Sequence, residues 1–335
     1  MNASHSHHPS IHQLVRWFAA ASIVAVLAGC SATTAQDVTA TQITLATSAP
    51  TTDTAATATP ATTIPAAAVD EPTTTTSPPR PSGTTDKVVS VSGGQLHIHC
   101  SGTGPTTVIL IAGWNDDHTS FDSIEPTLAA TTRVCSYDKF GTGTSDPAPV
   151  AQRFSTQATD LHQLLRSTNE IGPYVVVGHS FGGDVAVTFA SKFHDEVHGL
   201  LLLDATPTTW NSVLCAVPDD GTAAAAGLAQ VCAMQAAPSN NAEGLDGPAA
   251  FAEMADIATL ESLPLIVDTA AHRPYADQGA SPELAAQLTD DWNAGQRHWV
   301  SLSSQGELVE VPDTGHYIHI DQADLVVEQI TSLLP

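Results

Sequence analysis

Short runs of apolar residues recur along the chain from about residue 88 onward, and they determine the predicted strands. Apart from Thr107, residues 107–112 (TVILIA), 174–177 (YVVV) and 199–203 (GLLLL) are apolar or glycine. Such runs are typical of strands that are buried on both faces of a parallel sheet. Two further runs flank the sequence SGGQ and predict a hairpin. The predicted strands are 88–91, 96–100, 107–112, 133–137, 174–177, 199–203, 265–267 and 308–311.

Segments that suit helices separate these strands. The clearest is 155–169, in which Leu161, Leu164 and Leu165 form one apolar stripe and Thr156 is suited to cap the first turn. The other predicted helices are 121–130, 184–193 and 323–334. The alternation of strands and helices predicts an α/β fold, in which a mostly parallel eight-stranded sheet is flanked by helices.

The first 85 residues differ in composition, and we interpret them as a signal peptide (1–29) followed by a linker (30–85). Arg16 precedes an apolar run that is too short to span a bilayer comfortably. The run ends in Leu-Ala-Gly-Cys, which resembles a bacterial lipobox. That resemblance implies that Cys30 is the lipid-modified first residue of the mature chain; the alternative is an ordinary secretory signal with a chance cysteine. The linker is rich in Thr, Ala, Ser and Pro, so we expect a disordered tether.

The remaining residues, 86–335, are sufficient for one domain with a full core. Nearly all of the chain's formal net charge of −25 lies on this domain, which repels the phosphates of nucleic acids and anionic lipids. We therefore expect no nucleic-acid partner, and we expect association with the outer face of a bacterial cell membrane only through the lipid at Cys30. Because no C-x-x-C spacing occurs, a zinc site is disfavoured, and no metal or cofactor is predicted.

The most specific chemical signal is the sequence GHSFG at 178–182, which directly follows the apolar run 174–177. A serine is a poor nucleophile near neutral pH, so an enzyme must hold its Oγ near a proton acceptor and near donors for an oxyanion. A sharp turn between a strand and a helix does this, and it requires small residues on either side. We therefore predict Ser180 as a nucleophile; the alternative is an ordinary glycine-rich turn.

Several motifs in this order resemble the α/β-hydrolase superfamily, over essentially all of residues 88–335. They are Ala112-Gly113-Trp114 at the end of a strand, Tyr137-Asp138 with the following GTGTSD, the turn around Ser180, and Gly315-His316 near the C-terminus. The closest resemblance is to serine esterase and lipase-like members. In this superfamily an insertion after the strand 199–203 forms a cap, so we expect a small helical cap at about 206–262 rather than a surface loop.

The resemblance also implies a catalytic triad in the order Ser, Asp, His. His316 follows the last predicted strand and is the expected base, whereas His319 is the rival and is expected to pack nearby. The acid is left open among three residues. Asp204 ends the strand 199–203 and is the first choice; Asp268 and Asp277 follow the strand 265–267, where many members place the acid.

The same resemblance assigns two further features. The backbone N–H groups of Trp114 and Phe181 are the expected oxyanion hole. If Cys30 is acylated, four cysteines remain, for which three pairings exist. The fold would place the second strand beside the fourth, which favours Cys100–Cys135, and it would place the other two cysteines together in the cap, which favours Cys215–Cys232.

The expected function is hydrolysis of carboxylic esters, small-molecule or lipid, through an acyl-enzyme intermediate. Superfamily members that act on epoxides or haloalkanes use an aspartate nucleophile, and the serine at position 180 argues against both. Two alternatives stay open: a peptidase or amidase with the same triad, and a non-catalytic envelope protein that binds through the same fold.

Overall fold

The computed structural model describes residues 81–335, and the predicted signal peptide, Cys30 and most of the linker lie outside these residues. All eight predicted strands are found, most of them extended by one or more residues. They are β1 (Thr85–Val91), β2 (Gly94–Ser101), β3 (Thr107–Ile111), β4 (Arg133–Tyr137), β5 (Tyr174–His179), β6 (Val197–Leu203), β7 (Leu265–Ala270) and β8 (Gly306–Val311).

Helices fill most of the connections. The α-helices are α1 (Glu125–Ala129), α2 (Phe154–Ser167), α3 (Phe181–Lys192), α4 (Trp210–Ala216), α5 (Ala223–Gln235), α6 (Gly247–Glu253), α7 (Pro282–Ser301), α8 (Ile318–Asp321) and α9 (Ala323–Ser332), with 3-10 turns at His118–Phe121, His194–Glu196, Pro238–Asn240 and Met254–Asp256. The helix predicted at 121–130 begins later, at Glu125, because Pro126 favours the first helical turn. The long helix α7 was not predicted. Among the described residues, no helix combines the length and apolar character that a membrane crossing requires.

The eight strands form one sheet in the order β1-β2-β4-β3-β5-β6-β7-β8. The pairs β1–β2 and β2–β4 are antiparallel, and the other five pairs are parallel. The predicted mostly parallel, eight-stranded α/β sheet is therefore confirmed. In the parallel part, His179 of β5 pairs with Leu203 of β6, and Leu203 pairs with Asp268 of β7. The residues that follow β5 and β6 thus lie level with each other at the carboxyl ends of the parallel strands.

Apolar side chains cover both faces of the sheet and form two separate clusters. On β5, Val176 packs in one cluster with α2 and α3, whereas Val175 and Val177 pack in the other with α9. Burial on both faces explains why the central strands are continuous apolar runs in the sequence. The carboxyl ends of the central strands are therefore held by packed side chains on both faces of the sheet.

The insertion after β6 is helical. Residues 206–262 contain α4, α5 and α6, and a disulfide between Cys215 and Cys232 links α4 to α5. A second disulfide joins Cys100 and Cys135, which face each other in the register of β2 and β4. Both pairs are those that the resemblance favoured.

Candidate active site

Ser180 lies at a sharp turn between β5 and α3, in the conformation φ 53° and ψ −125°. A residue other than glycine rarely adopts a positive φ, and such outliers cluster at functional sites. The neighbouring glycines make the turn sterically feasible. A Cβ on Gly178 would lie 2.4 Å from the carbonyl oxygen of Gly182, and a Cβ on Gly182 would lie 2.1 Å from that of Ile111.

Backbone hydrogen bonds hold the turn in place. The carbonyl oxygen of Ser180 accepts hydrogen bonds from the N–H groups of Gly183 at 2.8 Å and Thr206 at 3.2 Å. The Ser180 N–H donates to the backbone oxygen of Leu203 at 3.1 Å. The Ser180 Oγ lies 3.4 Å from the hydroxyl of Thr206, and the residue is 9% exposed. The serine hydroxyl is therefore held by rigid elements and kept mostly from bulk water.

Asp204 and His316 come together from the segments that follow two different strands of the sheet. Asp204 follows β6 with a φ of 47°, and His316 follows β8. The His316 Nδ1–H donates to the Asp204 Oδ2 at 2.7 Å. The other Asp204 oxygen accepts the Trp292 indole N–H at 3.1 Å and the Ala270 backbone N–H at 3.3 Å. The carboxylate is fully buried, and every contact here fixes its orientation toward the imidazole.

The structure also places Arg273 on this carboxylate, a contact that the sequence analysis missed. Both terminal nitrogens of the guanidinium donate to Asp204, one to each oxygen, and the guanidinium lies 5.0 Å from the ring of Trp292. Burial alone would raise the pKa of the Asp204 carboxyl. Arg273 and the hydrogen bond from His316 outweigh it, and the pKa is lowered to about 2. Asp204 is therefore ionised at neutral pH in spite of its burial.

The alternative acids lie elsewhere. Asp268 is buried beneath α9, where its Oδ1 accepts the side-chain amide of Gln329 at 2.8 Å. Burial raises the pKa of Asp268 to about 7. Asp277 is exposed and lies 3.3 Å from the Nε2 of His272. Of the three aspartates weighed from the sequence, the structure places Asp204 against His316.

Two further histidines, His179 and His319, lie near His316. The Nε2–H of His179 donates to the His316 backbone oxygen at 2.9 Å, and burial lowers the pKa of His179 well below its ordinary value. His319 is buried against Phe121, with its Nε2 3.2 Å from the Ser120 hydroxyl, and burial lowers its pKa to about 3. Both side chains are therefore neutral near pH 7, and their rings pack against each other with centroids 4.6 Å apart.

The segment that contains Trp114 lies beside the nucleophile. A Cβ added to Gly113 would be 3.3 Å from the Ser180 Cβ. The indole of Trp114 stacks on Phe181 with ring centroids 5.7 Å apart, and Phe251 of α6 makes an edge contact with Phe181 at 5.6 Å. The two residues predicted to form the oxyanion hole thus contact each other next to Ser180. Phe181 also contacts the helical insertion, through Phe251.

One group of side chains has metal-ligand character and includes Asp138, which follows β4. The imidazoles of His97 and His118 approach Asp138, with nitrogen–oxygen distances of 3.2 Å and 2.7 Å. The Asp138 oxygens already accept the backbone N–H groups of His118 and Thr144, both at 2.9 Å. Both oxygens of the Asp138 carboxylate are therefore already hydrogen-bonded to backbone donors.

Comparison with known proteins agrees with this architecture. The sequence profile described as alpha/beta hydrolase fold matches residues 106–229. An uncharacterized protein of Mycobacterium tuberculosis is 32% identical over 120 residues, which cover 36% of this chain and 35% of that protein. A soluble epoxide hydrolase of a Corynebacterium species is 30% identical over 119 residues, covering 35% of this chain and 40% of the relative. The matched segment thus spans between about a third and two fifths of the length of these curated relatives.

Solved structures extend the likeness to the whole described domain. A thermophilic esterase from Thermogutta terrifontis superposes with a TM-score of 0.51 at 21% identity, covering 75% of this chain and 97% of the esterase. At this identity the likeness concerns the fold alone. Strand order, the turn at Ser180 and the profile match agree, and the chain has the α/β-hydrolase fold.

Proposed function

We propose that this protein is a serine hydrolase that cleaves carboxylic esters through an acyl-enzyme intermediate. The observation that supports it most directly is the hydrogen bond between His316 and the buried, ionised Asp204. This pair lies at the carboxyl ends of the strands, where the turn with the positive φ of Ser180 also lies. A histidine held in this way presents its Nε2 as a base, and the carboxylate stabilises the imidazolium that forms.

In the proposed reaction, the Ser180 Oγ attacks the acyl carbon while its proton passes to the His316 Nε2. The negative charge that develops on the carbonyl oxygen is stabilised by the backbone N–H groups of Trp114 and Phe181. His316 then returns its proton to the departing alcohol, and the acyl group stays on Ser180. A water molecule, deprotonated by His316, attacks this ester, and Ser180 recovers its proton as the acid leaves.

Labelling with a fluorophosphonate tests the proposal. We expect the purified protein to be labelled stoichiometrically and the Ser180→Ala variant not at all. His316→Ala should reduce the hydrolysis of p-nitrophenyl acetate by several orders of magnitude, whereas His319→Ala, which retains His316, should reduce it much less. A wild-type protein that is folded but is neither labelled nor active on nitrophenyl esters would contradict the proposal. Activity on matched nitroanilides but not on the esters would indicate an amidase instead.

The N-terminal sequence supports a proposal on location. Cys30 becomes the lipid-modified N-terminal residue, and the domain is thereby tethered to the outer face of the cell membrane. The mature protein should then begin at Cys30 and partition into the detergent phase. The variant Cys30→Ala should stay unprocessed or become soluble while the domain keeps its esterase activity. A wild-type protein that is secreted without lipid, with another N-terminus, would contradict this.

A further inference from the structure

A buried lysine lies beneath the segment that contains Trp114. Lys139 follows β4, and its side chain is 3% exposed. Its ammonium group donates to the backbone oxygens of Gly113 at 2.8 Å, Ala112 at 3.1 Å and Asp116 at 3.4 Å. Three carbonyl groups of one short segment therefore converge on one cation, which has three protons to donate.

The contact to Gly113 bears on the oxyanion hole, because the carbonyl of Gly113 and the N–H of Trp114 belong to the same peptide unit. This peptide is trans, since the described part of the chain has its cis bond at Gly172–Pro173. In a planar trans peptide the C=O and the N–H point in opposite directions. An ammonium that holds the Gly113 oxygen on one side therefore directs the Trp114 N–H to the other. The positive charge also polarises the peptide, which makes its N–H a stronger donor.

The helical insertion contributes Glu243, which contacts both Lys139 and the segment that contains Trp114. Glu243 is buried, and its Oε1 lies 3.6 Å from the Lys139 ammonium and accepts the Asn115 backbone N–H at 2.6 Å. Its second oxygen lies 3.4 Å from the amide of Gln157 on α2. Asn115 has a φ of 63°, so the chain turns sharply at this contact. The segment 112–116 is thus fixed from below by Lys139 and from the insertion by Glu243.

We propose that Lys139 is a positioning residue for catalysis: by binding the Gly113 oxygen it aims and polarises the Trp114 N–H toward the oxyanion that forms at Ser180. The role of Glu243 is to balance the lysine charge and to hold the neighbouring peptide. The inference rests on the proposed hydrolase function, because it concerns a donor that acts only in the transition state. Such a donor affects the reaction rate more than the affinity for substrate.

The variant Lys139→Met tests this, because it keeps the length of the side chain and removes the donors. We expect kcat for p-nitrophenyl acetate to fall between about tenfold and about a hundredfold, less than the ~10²–10³ that follows deletion of an oxyanion donor. An alkyl trifluoromethyl ketone forms a hemiketal oxyanion on the serine, and its inhibition constant should rise by a similar factor. The inhibition constant of the matching methyl ketone, which binds as the unreacted carbonyl, should change little. Lys139→Arg, which keeps a charged donor, should recover part of kcat.

The double variant Lys139→Met/Glu243→Gln separates positioning from stability. Lys139→Met alone leaves a buried carboxylate without its cation, so its melting temperature should fall. The second change removes that carboxylate yet keeps an oxygen for the Asn115 N–H, so the melting temperature should recover while kcat stays low. The double variant Arg133→Met/Glu170→Gln is the matched control. It removes a buried ion pair of 2.7 Å at the start of β4, at the opposite end of the strand from the site, and should leave kcat unchanged.

Two outcomes would overturn the inference. One is a double variant Lys139→Met/Glu243→Gln with wild-type kcat; the other is a parallel loss of affinity for both ketones. If Lys139→Met does not fold, the double variant and Lys139→Arg decide the matter in the same way. A failure of the proposed function is distinguishable, because the wild-type protein itself would then lack labelling and activity.

Discussion

The guanidinium of Arg273 forms an ion pair with the same Asp204 carboxylate that accepts the Nδ1–H of His316. Each carboxylate oxygen receives one arm of the fork, a geometry that gives strong, directional pairs. The pair compensates the charge of a fully buried aspartate and keeps it ionised. It also means that His316 faces a carboxylate whose field is partly cancelled.

This relationship predicts a shifted pH profile. In Arg273→Met, Asp204 loses the cation that opposes the effect of burial, so the pKa of Asp204 should rise from about 2. Because a protonated Asp204 no longer stabilises the imidazolium that forms during the reaction, the acid limb of kcat/KM should move to higher pH, by about one unit for each roughly 1.4 kcal/mol of interaction lost. Arg297 is exposed on α7, and Arg297→Met is the control for a change in net charge alone. An acid limb that stays in place would show that Arg273 only stabilises the fold.

The acid itself is tested by three matched changes. Asp204→Asn should preserve the fold but lower kcat by about 10⁴-fold, because the imidazole loses both its orienting acceptor and its charge partner. Asp268→Asn and Asp277→Asn alter the two other candidates, which do not contact His316, and each should retain kcat within a few-fold. Steady-state kinetics on p-nitrophenyl acetate, with circular dichroism to verify folding, decides among them. A large loss in Asp268→Asn with normal Asp204→Asn activity would reverse the assignment.

Local sequence explains how much of this site could be predicted. The turn at Ser180 depends on neighbouring glycines, and His316 follows the last strand, so both are evident from short segments. Asp204 was one of three candidates because the choice depends on which strand end is level with β5. That register, His179 with Leu203, is a tertiary feature.

The residues that were missed act across long distances in sequence. Arg273 lies 69 residues from Asp204, and Trp292 lies 88 residues from it, so nothing near either residue indicates the contact. Trp292 lies on α7, whose start did have a local signal: Ser281 caps the helix and Pro282 begins it. Lys139 directly follows the Tyr137-Asp138 motif, and the role proposed for it depends on Glu243, which lies 104 residues further along the chain in the insertion.

The turn at Ser180 gives a steric prediction with a control. Gly182→Ala would place a methyl group 2.1 Å from the backbone oxygen of Ile111, so the turn must shift and fluorophosphonate labelling of Ser180 should be strongly reduced. Gly227 lies within α5 and has no atoms within 4 Å of such a methyl group. Gly227→Ala should therefore raise the unfolding free energy, by up to about 1 kcal/mol, and leave labelling intact. Equal labelling of both variants would contradict the steric argument.

Asp268 predicts how stability depends on pH. Its pKa is raised, first by burial, from 3.8 to about 7, so the folded state holds a proton that the unfolded chain releases near pH 4. Between these pH values the folded state binds more protons than the unfolded state, so this group's contribution to stability falls as the pH rises. At about 1.4 kcal/mol per pKa unit, the loss approaches an upper limit of about 4 kcal/mol above pH 7.

Asp268→Asn removes this titration and keeps the shape of the side chain and an oxygen for the Gln329 amide. The variant should therefore be more stable than the wild type at pH 8, and the difference should shrink toward pH 4, where the wild-type carboxyl is protonated in the folded state. Chemical denaturation at several pH values measures this, and exposed Asp277→Asn should show no such trend. A stability difference that is independent of pH would mean that Asp268 is ionised in the folded protein, and that contacts other than Gln329 stabilise its charge.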